Sequence, residues 1–171
     1  MNKIKLIVLL FVLYSFGCAK EETALRLPNL DTPVVKGIEL RDPAGNPMGT
    51  LGEPNAQTDA MFSNRKVVMF IHPNPCERSL RISFFNEEAI PGSDHKIWIT
   101  PAQSGSKEIR AIFPATHSLV AGGAPVAQAE FNASQGSARI NTEQLQTGFY
   151  RVYVKLNDKI LYDNLYVLNE N

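Results

Sequence analysis

With two cysteines, one tryptophan and three histidines among 171 residues, the chain lacks the raw material for several chemistries. Cys18 and Cys76 alone cannot build a disulfide framework, so a folded domain here has to rest on a hydrophobic core. Zinc-type spacing is missing too. His72 and Cys76 stand four apart, but Pro73 and Pro75 forbid the helix that would bring them to one face, and His95 and His117 are remote from both. No metal or cofactor is expected. Charge is balanced, with 17 Lys and Arg against 17 Asp and Glu, and the basic residues are scattered singly along the chain. That leaves no basic run for a nucleic-acid backbone. No segment shows a sustained helical period, and no apolar run reaches the ~20 residues needed to span the hydrocarbon core.

What is present begins at the N-terminus. Lys3 and Lys5 precede an almost wholly apolar run from Leu6 to Phe16, and the small residues Ser15 and Gly17 lead into Cys18. This segment resembles a bacterial lipoprotein signal peptide, which implies removal of residues 1–17 and lipidation of Cys18. In that family the thiol carries a diacylglycerol and the freed amine is acylated. Each buried methylene contributes about 0.8 kcal/mol, so more than one acyl chain makes a lasting membrane anchor. Ser15 and Gly17 also suit an ordinary signal peptidase, which would secrete the chain without lipid. Cleavage removes two lysines and no acid, leaving a small acidic excess.

Residues 18–33 include Lys20, Glu21, Glu22 and Asp31 with few apolar side chains, so burial there cannot offset the entropy of ordering. A flexible tether is expected. The Lys20-Glu21-Glu22 run resembles the acidic export signal that sends some Gram-negative lipoproteins to the cell surface, and it reads equally as a solvated charge cluster. The expected location is therefore the outer membrane or cell surface, with membrane contact through the lipid.

Residues 34–171 read as one domain of short strands. Ile38 to Arg41 and Met48 to Leu51 flank a turn-rich stretch and suggest a hairpin, whereas Glu53 to Asn64 reads as a loop. Further strands are expected at Lys66 to Ile71, Leu80 to Phe85, Lys96 to Thr100, Glu108 to Phe113, Val126 to Phe131 and Ser137 to Ile140. The clearest element is a C-terminal hairpin turning at Asn157-Asp158. Its register pairs Val154 with Leu161 and Tyr150 with Leu165 on one face, and Tyr153 with Tyr162 and Phe149 with Tyr166 on the other. Val152 then falls opposite Asp163. The fold expected is all-β, an antiparallel immunoglobulin-like sandwich of roughly seven to nine strands.

His72-Pro73-Asn74-Pro75, the alternating run Leu80 to Phe84, and Leu145-Gln146-Thr147-Gly148-Phe149-Tyr150 before a last strand are similar to the C-terminal sorting domain of type IX secretion cargo. The resemblance spans roughly Lys66 to Asn171 and implies the same immunoglobulin-like sandwich. His72 stands where those domains usually carry tyrosine. Sorting domains normally follow a cargo protein, and here the sandwich is expected to serve as a standalone lipoprotein domain.

Catalytic patterns are thin. Ser104 and Lys107 have the spacing of a serine and lysine pair but sit in a polar turn without the accompanying motifs. Asp42 to Asn46 lacks the spacing and final glutamate of a helical calcium loop, and the adjacent Glu87 and Glu88 would point apart on a strand. One recognition surface suggests itself: Trp98, between Ile97 and Ile99, shares a face with Tyr153 and Tyr162 and could form a binding platform for glycan or protein. The first hairpin or the long insert could equally cover these rings. The function expected is that of a non-enzymatic surface or outer-membrane lipoprotein with a structural or binding sandwich. The alternative is an envelope hydrolase or metal-dependent enzyme with dispersed site residues.

Overall fold

The computed structural model describes residues 32–90, 95–113, 124–131 and 136–169. The signal segment, Cys18, the tether as far as residue 31 and His117 lie outside the described residues. Strands β1 (Val34–Val35), β2 (Gly37–Arg41), β3 (Pro47–Gly52) and β4 (Asp59–Phe62) precede β5 (Arg65–His72) and β6 (Ser79–Phe85). A 3-10 turn at Glu87–Ala89 follows. Then come β7 (His95–Pro101), β8 (Gln103–Ser104), helix α1 (Lys107–Ile112), β9 (Ala127–Glu130), β10 (Ser137–Asn141), β11 (Gly148–Leu156) and β12 (Lys159–Val167).

Alternation of apolar residues sets the inner faces. Val67, Met69 and Ile71 of β5 and Leu80, Ile82 and Phe84 of β6 are buried, while the residues between them face outward. Eight strands form two four-stranded antiparallel sheets, ordered β10-β6-β5-β4 and β12-β11-β7-β9, which close on a shared apolar core. In this order β5, β6 and β10 take the places of strands A, B and E of an immunoglobulin domain, and β7, β11 and β12 those of C, F and G. The protein is an all-β, antiparallel immunoglobulin-like sandwich. A tyrosine corner marks the entry to β11: the Tyr150 hydroxyl donates to the Gln146 carbonyl at 2.7 Å, and Gly148 takes a φ of 154° in between.

The C-terminal hairpin has the register expected, including Val152 opposite Asp163, and Asn157 turns with φ 54°. Both of its faces are covered. Phe149 and Tyr166, on the outer face, join Val35, Ile38, Ala102 and Ile109 in a second, smaller core. The β2–β3 hairpin straddles the sandwich edge. Ile38 near its base packs into the second core, whereas at its tip Arg41 lies over the Phe70 ring on the opposite sheet. Gly45, at φ 92°, approaches that sheet so closely that a β-carbon would stand 3.1 Å from the Phe70 ring.

Two segments differ from expectation. Glu53 to Asn64 is not all loop, because Asp59–Phe62 pairs with β5 across a tight turn in which Ser63 adopts φ 53°. Phe62 is the one large apolar residue there that enters the core, too little for an alternating pattern. Glu108 to Phe113 is mostly helix, not strand. The Ser106 side chain accepts the Ile109 amide at 3.4 Å, Glu108 lies in the first turn and Arg110 in the last. Ile109 and Phe113, four apart, both turn onto the second core, a helical spacing hidden in a window of one and a half turns.

The corner hydrogen bond is part-buried and its ring buried. Tyr150→Phe should therefore lower stability by about 1 kcal/mol, or roughly 2–4 °C in melting temperature, without changing the fold. Circular dichroism melts check this.

Candidate functional site: an arginine-lined groove

The aromatic ladder expected from sequence forms, but it is closed. Trp98 stacks on Tyr153 with 5.2 Å between ring centroids and 10° between planes, and Tyr153 meets Tyr162 at 5.8 Å. The Arg151 guanidinium lies over Tyr162 at 4.7 Å from the ring centre. Trp98 and Tyr153 are only 4% and 6% exposed, and Tyr162 is half-buried, so the three rings present no open platform. The physical reason is area, since a ring that can cover ~150–250 Å² is stabilised far more by burial than by display. Burial also pushes the Tyr153 hydroxyl pKa above its ordinary value, with the Arg151 charge opposing.

Cys76 is buried and free, its thiol 3.7 Å from the Thr142 hydroxyl. Burial pushes its pKa up to about 11, so it stays a thiol at neutral pH and acts as a small apolar residue. No group of three His, Cys, Asp or Glu side chains converges as a metal site among the described residues.

The other sheet carries an open concave feature. On the outer face of β10, β6 and β5, Arg139 is the direct partner of Arg81, and Arg81 the direct partner of His72. Such partners have β-carbons about 5 Å apart. Arg41 arrives from the end of β2, where a register shift between Leu40 and Arg41 bends the strand, and Arg78 from the turn before β6. These four arginines line a groove of about 720 Å³ with Asp42 and Glu77. Pro43, Met48, Pro73 and Pro75 supply an apolar wall. Arg41 is anchored: it pairs with Glu39 at 2.8 Å and donates to the Gly45 carbonyl at 2.9 Å. Arg78, Arg81 and Arg139 are exposed and form no ion pair among the described residues. Arginines scattered singly along the sequence are thus gathered into one patch by strand register, a juxtaposition with no local signal in the chain.

His72 also touches Ser83, with Nε2 3.0 Å from the hydroxyl and Nδ1 3.1 Å from the Pro43 carbonyl. A carbonyl only accepts, so in the neutral ring Nδ1 donates to Pro43 and Nε2 accepts from Ser83. This is the contact a nucleophile makes with its base, but the surroundings do not complete it. β6 lies between β5 and β10, and its peptide N–H groups are used in the two ladders rather than aimed at a developing oxyanion. His72, 4% exposed, instead pins the hairpin tip to the sheet.

Asp163 sits on the core side of β12, 2% exposed, with its carboxylate accepting the Asn164 amide at 2.7 Å. Burial outweighs that bond and pushes its pKa up to about 6.

No protein-family model and no curated protein matches the chain. Among solved structures, an immunoglobulin-like β-sandwich protein of the DUF3244 family from Bacteroides vulgatus is similar at 14% identity and a TM-score of 0.37, covering 67% of this chain and 98% of its own. The soluble domain of PmoD from a Methylocystis species is similar at 12% identity and a TM-score of 0.41, covering 66% and 98%. Likeness at this level carries no function, and the fold assignment rests on strand order and register.

Two measurements follow from these sites. Trp98→Ala removes a buried, stacked ring and should cost about 3–5 kcal/mol, read as a large fall in melting temperature. For Asp163 the folded pKa of about 6 exceeds the unfolded 3.8, so the folded chain holds the proton more tightly and stability falls as pH rises from about 4 to about 6. Asp163→Asn keeps an acceptor for the Asn164 amide and should remove this component. Its melting temperature should exceed the parent's at pH 7, with the gap closing towards pH 4.

Proposed function

We propose that this chain is a lipid-anchored protein of the bacterial outer membrane or cell surface, whose immunoglobulin-like sandwich binds a ligand rather than catalysing a reaction. The N-terminal pattern ending at Cys18 supports the anchor. The observation that carries the binding role is the groove, an open cleft lined by arginines and prolines. The contact of His72 with Ser83 is accounted for by the hairpin tip, which His72 joins to the sheet through the Pro43 carbonyl. In the sorting domains that residues 66–171 resemble, the same sandwich is a module carried to the surface; here the lipid would take over the task of holding it there.

The anchor is tested at Cys18. Mass spectrometry of the mature N-terminus should show an acylated cysteine, and Cys18→Ser should move the protein from the membrane fraction to the soluble one. An unmodified residue at the mature N-terminus would overturn the anchor.

A further inference from the structure

Resting on the reading of the groove as a binding surface, we propose that it recognises a phosphate monoester, with Arg81 and Arg139 as the residues that grip the phosphate oxygens. The register makes the case. Arg81 and Arg139 are direct antiparallel partners on the same outer face, and like charges placed directly opposite destabilise a sheet. Nothing in the fold needs that opposition, because either residue could be a neutral polar side chain without disturbing the core face beneath it, where Leu80, Ile82, Ala138 and Ile140 are packed. Neither guanidinium has an ion-pair partner among the described residues. An anion between them turns the repulsion into attraction.

The kind of anion follows from the donors. Every cation on the groove wall is arginine and none is lysine. A guanidinium presents two parallel N–H donors suited to carboxylate or phosphate oxygens. Two adjacent forks call for an anion with more than two oxygens, which a carboxylate lacks and a phosphate monoester has. Arg78 flanks the pair from the turn before β6, while Arg41 is already committed to Glu39 and to the Gly45 carbonyl and serves as a fixed part of the wall. Pro43, Met48, Pro73 and Pro75 offer apolar surface to the group that carries the phosphate.

Titration calorimetry on the detergent-solubilised full-length chain tests this with four probes: inorganic phosphate, glucose 1-phosphate, glucose and dioctanoyl phosphatidic acid. The phosphate-bearing probes should bind and glucose should not. Stronger binding of glucose 1-phosphate would indicate a sugar phosphate as the source, and stronger binding of the phosphatidic acid a lipid headgroup. The double variant Arg81→Gln, Arg139→Gln should bind at least about tenfold more weakly, yet melt no lower than the parent, because the like-charge opposition is gone. Absence of binding by every phosphate probe, or unchanged affinity in the double variant, overturns the assignment. Equal binding of glucose and glucose 1-phosphate overturns the phosphate but leaves the groove a binding surface, and none of these outcomes bears on the lipid at Cys18.

Discussion

β12 is an edge strand, and the outward peptide groups of a buried edge must find partners; much of the structure is arranged around that requirement. Tyr162 exchanges backbone hydrogen bonds with Gln57 at 2.9 and 2.8 Å. Beyond it the Asn164 amide donates to the Asp163 carboxylate and the Asn164 carbonyl accepts from the Asn74 side chain at 2.9 Å. The Tyr166 amide donates to Asn74 Oδ1 at 3.1 Å, and its carbonyl accepts from Cys76. The Asn74 side-chain amide thereby stands in for a missing peptide unit between two backbone partners. That gives a physical meaning to an asparagine held between two prolines, which bring no N–H groups of their own to satisfy.

The same seam ties the N-terminal hairpin to the sandwich. Asn74 donates to the Glu39 carbonyl and exchanges backbone bonds with Arg41, while Asn164 donates to the Gly37 carbonyl at 2.8 Å and to Asn55 at 2.9 Å. Arg151 reaches both Asn164 and the Val34 carbonyl. The buried amides of Asn74 and Asn164 are expensive to leave unpaired, so this network specifies where the hairpin lies, and the second core adds apolar area to the same contact. Placing the hairpin tip across the outer face of β5 also builds one wall of the groove. The residues that close the edge and those that open the cleft are therefore parts of a single arrangement.

Charge is treated differently on the two sides of the molecule. Arg151, over Tyr162, is bonded and half-buried, and Arg41 is tied to Glu39 and Gly45. Arg81 and Arg139 are left facing each other. Pairing is sparse among the described residues, where the Arg41–Glu39 and Lys66–Asp59 contacts are the ion pairs formed, and what sets Arg81 and Arg139 apart is their direct opposition across two strands.

The sequence by itself determined the elements whose signals are local and repeated. Nine-residue strands with alternating apolar residues and an Asn-Asp turn specify the C-terminal hairpin and its register, because a slip of one residue would turn every core side chain outward. Shorter elements escaped: β4 contributes one large core residue, and α1 is too short for its period to declare itself against a strand reading. The aromatic ladder was legible as a ladder but not as a covered one, since neighbours in register follow from one hairpin whereas burial depends on everything packed above it. Only the tertiary structure decided the groove. Arg41, Arg78, Arg81 and Arg139 come from separate elements, and cross-strand pairing joins residues by spatial register rather than by proximity along the chain.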